Sequence, residues 1–330
     1  MKFMPALMLA LMLALMLAPI TALADDPPHI PLPKTGSIIW GNWTFDYGVG
    51  DANKEGLVIK NVRWKGTLVL YRASLSVIRV KYRGDGDSLG DGCGPWMDQI
   101  DWDSLSVVQG QQTAVTGRQF SSNTFEIAVF AEIGGYDLYQ AYYFKNTGRL
   151  EPRLYSSGWS CGEDGNELDH KHHPYWRLDF DVEGAQNEVW RIKTKNSGAV
   201  QFFKYPREWN SWKESDDQKI EWTIGKPGSD KHVRFRYPGN GARDASSGGP
   251  WYNFSYKDMG VRLYHDAENN GWNFDWDQHL GYRWPIEEPF AANGSDIVFW
   301  SVGHLYHEWT QSDENNPHWH ATGPIIEPSW

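Results

Sequence analysis

The stretch Leu168–Val182, LDHKHHPYWRLDFDV, decides how the rest of the chain is read. Three histidines, His170, His172 and His173, fall within four residues and run straight into YWRLDFDV, where apolar and polar residues alternate. A period of two is the mark of a strand, whose successive side chains point to opposite faces. His170 and His172 therefore project from one face as neighbouring imidazoles, and His173 from the other. Two convergent imidazoles suit a copper or zinc ion. A histidine-rich surface turn would show the same spacing, and Pro174, with no N–H to give a ladder, predicts that pairing ends beside the histidines.

Outward from this stretch the same signal recurs. The segments 38–49, 55–64, 66–82, 124–133, 136–144, 231–238, 259–265 and 295–302 are rich in β-branched and aromatic residues, and Gly, Pro, Asn or Asp clusters bound them. Nineteen Trp, sixteen Tyr and fourteen Phe occur beside thirty-three Gly and eighteen Pro, as expected of short aromatic strands joined by tight turns. Long helical periodicity and internal repeats are missing from the sequence. These features predict an all-β protein built as a large antiparallel β-sandwich, with residues 25–330 forming one domain. The Gly-rich stretches 83–95 and 238–250 predict loops.

The first 24 residues carry Lys2, then an apolar run of Leu, Met and Ala, then Ala-Leu-Ala before Asp25. That is the layout of a cleavable secretory signal peptide, so residues 1–24 are expected to be removed and the remainder to be secreted or periplasmic, with no membrane attachment. A formal net charge of −11 argues against a nucleic-acid partner and favours cationic small molecules. Two cysteines, Cys93 and Cys161, exclude a CxxC site and predict one disulfide in an oxidising compartment.

Other histidines compete for the metal. His318 and His320 in PHWH repeat the two-residue spacing, and His304 and His307 lie close by. Here a wider likeness enters: HKHHPYWRLDFDVEGAQN (170–187) resembles the stretch in which copper-containing amine oxidases place a His-x-His copper pair ahead of a D-x-D strand. SDIVFWSVGHLYH (295–307) resembles the segment supplying the family's third copper ligand, eleven residues after an Asp, which falls on His307. Segments 40–82 and 93–102 also resemble the family's catalytic sandwich, and GGYDLYQAYYFKNTGRLEPRLYSSG (134–158) resembles the stretch holding the tyrosine that becomes topaquinone.

That resemblance implies copper held by His170, His172 and His307, and a topaquinone cofactor derived from Tyr136. It implies that Tyr82 hydrogen-bonds a quinone oxygen, and that Asp87, with Asp85 and Asp91 as alternatives, is the catalytic base. Asp179, Asp181 and Asp296 match family positions around a structural calcium, completed by backbone oxygens of Phe180 and Ile297. The implied reaction takes a small primary amine and dioxygen to an aldehyde, ammonia and hydrogen peroxide, and family members are usually dimers, which implies a homodimer. The sequence also departs from the pattern, because Glu132 and Gly135 stand where the family's quinone motif has Thr and Asn. The alternative is a copper-binding protein on the same sandwich that is not an oxidase.

Overall fold

The computed structural model describes residues 27–49, 54–82, 96–101, 115–134, 136–158, 170–211, 218–236, 259–265, 288–307 and 319–330. The chain is all-β: its secondary structure is antiparallel strand, with no helix among the described residues. One ten-stranded sheet runs in the order Trp209–Ser211, Met259–Leu263, Ile297–Val302, His170–Phe180, Thr67–Tyr82, Val58–Trp64, Trp43–Gly48, Thr35–Trp40. Two short strands sit off this path: Leu305–His307 pairs with His170–Phe180, and Trp96–Asp98 pairs with Thr67–Tyr82. The second, eleven-stranded sheet runs Ile30–Leu32, Val115–Ser121, Thr124–Ile133, Tyr136–Lys145, Leu150–Gly158, Ile325–Pro328, His232–Arg236, Gln218–Gly225, Glu188–Lys195, Val200–Lys204, with His320–Thr322 also paired to Leu150–Gly158.

Aromatic side chains cross between the sheets and hold them together. Phe45 of the first sheet stacks on Phe144 of the second, with ring centroids 4.1 Å apart, and Trp43 Nε1 donates to the Lys145 carbonyl at 2.8 Å. Tyr142 reaches across to donate its hydroxyl to the carbonyls of Leu57 and Ala73, both at 3.1 Å. Each large apolar side chain buried this way contributes roughly 1.5–3 kcal/mol. A carboxylate is buried here too: Glu55 accepts from Arg72, Ser74 and Ser76, so its charge is fully compensated.

The strand His170–Phe180 lies at the centre of its sheet and is buried along its whole length. Trp176, Leu178 and Phe180 enter the main core, while Tyr175 joins a second cluster with Val77, Val298, Trp300 and Val302. Both faces are therefore covered, which period-two alternation alone does not reveal. The expectation that pairing ends at Pro174 is corrected. Pro174 pairs with Ile78 in mid-ladder, and the neighbour on its other side is interrupted there, between Ile297–Val302 and Leu305–His307. The donor that proline lacks falls opposite this gap, and the Pro174 carbonyl accepts from Gly303 N at 3.0 Å.

Candidate functional site

The break opposite Pro174 delivers the third histidine. Strand pairing breaks at Gly303, where a Cβ would lie 2.8 Å from the Thr322 side chain and 3.1 Å from Pro174 Cγ, so a larger residue would force Thr322 to shift. The chain then resumes antiparallel pairing with His307 opposite His170 and Leu305 opposite His172. His170, His172 and His307 are all buried, and the His170 ring centroid lies 4.9 Å from that of His172 and 4.7 Å from that of His307.

The other sheet brings Tyr136 to this cluster. The strands Thr124–Ile133 and Tyr136–Lys145 form a hairpin with Ile133 opposite Tyr136, and Gly134 takes the positive φ of 62° that the tight turn requires. Tyr136 is buried, with its hydroxyl 3.2 Å from His170 Nε2. Its ring lies edge-on to both histidines, 5.4 Å from His170 and 4.8 Å from His172.

Burial, followed by the neighbouring His170, His307 and His320, holds the His172 imidazole well below its ordinary range. It is therefore neutral at physiological pH, the form that binds metals. Both of its ring nitrogens are buried without a hydrogen-bond partner. An unmet buried polar group costs about 1–3 kcal/mol, so this imidazole has the chemistry and the orphaned atoms of a metal ligand. His173, on the opposite face as the alternation required, meets His304 instead, Nδ1 to Nδ1 at 2.7 Å. One ring donates and the other accepts, which separates this pair from the cluster.

Asp179, Asp181 and Asp296 form a second constellation at the far end of the same strand. Phe180 pairs with Ile297, so the flanking Asp181 and Asp296 meet where the ladder ends. One ligand atom from each of the three carboxyls lies within 4.8 Å of the others. Asp179 Oδ2, Asp181 Oδ1 and Asp296 Oδ1 are buried without hydrogen bonds, and Asp179 has Arg177 Nη1 at 3.6 Å. Burial, the repulsion of the other carboxyls and the opposing pull of Arg177 leave Asp179 pushed up to about 7. Burial and Asp296 push Asp181 up to about 6. An oxygen-rich pocket with orphaned carboxylate atoms fits a hard cation such as calcium.

Other predicted residues are only partly placed. The Tyr82 backbone pairs with His170, while its side chain lies outside the described residues. Asp85, Asp87, Asp91, Cys93, Cys161, Gly135, His318 and residues 1–24 also lie outside them. Two further groups come together in the fold. His320, one of the rival PHWH pair, has its ring 4.4 Å from that of His307. Glu208, His265 and Glu288, from three separated segments, bring ligand atoms within 4.8 Å of one another. No local spacing connects those three; only the folded sheet does.

The sequence matches no protein-family profile and no curated protein. Solved structures share its fold. A copper-containing benzylamine oxidase from Hansenula polymorpha superposes with TM-score 0.62 at 16% identity, covering 91% of this chain and 62% of that one. Aspergillus nidulans amine oxidase gives 0.61 at 14%, covering 93% and 54%. Pichia pastoris lysyl oxidase gives 0.63 at 15%, covering 94% and 55%. The fold is thus the β-sandwich found in copper amine oxidases, and this chain spans less than two thirds of the length of those three proteins.

Proposed function

We propose that this chain is an exported, copper-dependent oxidase of small primary amines, working as a homodimer with dioxygen as its second substrate. One observation carries the reading: the Tyr136 hydroxyl, 3.2 Å from His170 Nε2, belongs to the only sequence-matched quinone tyrosine and lies against the predicted copper ligands. His170, His172 and His307 would hold the ion. When bound, copper would support oxidation of the tyrosine ring to a quinone, and the quinone would supply the carbonyl that takes up the amine. The walls of the site keep the Tyr136 ring edge-on to two imidazoles and exclude bulk water. Tyr82 would orient the ring oxygen, and Asp87 would take the proton from the carbon next to nitrogen. The departures at Glu132 and Gly135 favour a second reading, a copper-binding protein without oxidase activity. Copper-loaded, aerated protein should develop a quinone absorption band and release hydrogen peroxide when given primary amines. Stoichiometric copper with neither signal would leave the second reading.

The same reading assigns calcium to Asp179, Asp181 and Asp296, with a pH dependence whose sign is fixed. Their folded-state pKa values stand above the ordinary value near 4, so without a cation the folded state holds protons that the unfolded chain has lost. Stability from this cluster is present below about pH 4 and is lost as pH rises through 6 and 7. Calcium binds the ionised form and should reverse that loss. In calcium-free protein at pH 7.5, a hundredfold excess of calcium over Kd should raise Tm by roughly 5 °C. At pH 4.5 it should raise Tm little, and Asp181→Asn should remove the response. An equal shift at both pH values, or none in wild type, would reject the assignment.

A further inference from the structure

We propose that His320 is a fourth imidazole ligand to the ion held by His170, His172 and His307, making the centre a four-histidine site. The proposal deepens the copper reading and rests on it. His320 enters from the opposite sheet: it begins the short strand His320–Thr322, with Ser156 as its partner on Leu150–Gly158. That neighbour also carries Gly158 opposite Tyr136, so His320 and Tyr136 arrive at the cluster from the same sheet.

The His307–His320 ring separation of 4.4 Å is shorter than the 4.7 and 4.9 Å within the predicted trio. The interplanar angle of 44° falls between the trio's 39° and 53°, so His320 meets His307 with the same tilt as the trio's rings meet one another. The strand is held against the trio by Thr322, whose side chain fills the space over Gly303, at the break in pairing just before Leu305–His307.

The four rings form a connected cluster, His172 beside His170, His170 beside His307 and His307 beside His320, with centroids 4.4 to 4.9 Å apart. A single divalent ion that accepts nitrogen donors can take all four, and copper(II) takes four nitrogens in a tetragonal arrangement. With His320 bound, fewer positions remain open on the ion for Tyr136 or for oxygen. The site would then hold copper more tightly than three histidines do.

The test is an imidazole count on the whole protein loaded with one equivalent of copper(II), by electron paramagnetic resonance and spin-echo modulation. Wild type should show four equatorial imidazoles, and His320→Ala and His320→Gln three each. Chelator competition should show copper held about 10- to 100-fold more weakly in the two variants, at least the loss that an outer partner of a metal-bound histidine causes. His304→Ala should keep the count at four. Three imidazoles in wild type and variants alike would overturn the proposal and leave the copper reading standing. Failure of wild type to bind stoichiometric copper would overturn the copper reading and this proposal together.

Discussion

Tyr136→Phe should keep copper and lose every signal that depends on the quinone. The substitution removes one oxygen and leaves the ring, so packing against His170 and His172 survives. The lost contact is a single buried hydrogen bond to His170 Nε2, worth about 1 kcal/mol, and Tm should fall by only a few degrees. The histidines are untouched, so copper stoichiometry should stay at the wild-type level. Phenylalanine has no phenolic oxygen through which the ring can be activated at the metal. The quinone band, the mass change on the peptide carrying residue 136 and amine-dependent peroxide should therefore all fall below detection. Peroxide production that persists in Tyr136→Phe would move the chemistry to another group. Wild type lacking all three signals would remove the oxidase reading and leave copper binding.

Much of this site was legible because strands translate sequence spacing directly into geometry. His170 and His172 share a face, and Asp179 and Asp181 share a face at the other end, as a two-residue repeat demands. The pairing of His170–Phe180 with the Asp296–His307 region then carries both constellations, because antiparallel register sets the end holding Asp296 beside Asp181 and the end holding His307 beside His170. What escaped depends on contacts that no local pattern encodes. Pro174 looked like the end of a strand because the gap in its neighbour, which removes the need for its N–H, lies over 120 residues away. His320 carries the same two-residue spacing as the predicted pair, but its approach to His307 depends on how the two sheets meet, and on a glycine, Gly303, whose missing Cβ admits Thr322. The strand Val200–Lys204 was missed for a different reason: it is exposed on every residue at the rim of its sheet, so it shows no alternation to detect.

His172→Ala should abolish stoichiometric copper while leaving the apoprotein nearly as stable as wild type, and the two effects have separate causes. In the apoprotein this imidazole is buried and neutral, with neither nitrogen hydrogen-bonded, so it contributes packing but carries an unmet polar cost. Truncation opens a cavity, which costs about 2–5 kcal/mol for a large side chain, and relieves about 1–3 kcal/mol for each orphaned polar group. These oppose each other, so the net change in the apoprotein should be within about 2 kcal/mol. The response to copper should differ completely: a hundredfold excess over Kd adds about 2.7 kcal/mol to wild type and nothing to a protein that cannot hold the ion. His173→Ala is the informative contrast, because His173 faces away and is bonded to His304 at 2.7 Å. His173 is as buried as His172, so truncation costs the same cavity, about 2–5 kcal/mol, and the lost bond adds about 1–3 kcal/mol to it, while copper stoichiometry stays intact. Chemical denaturation and metal analysis of the two variants should therefore give opposite patterns. Copper retained in His172→Ala but lost in His173→Ala would place the metal on the other face of the strand, and the Tyr136 chemistry with it would have no ion to act on.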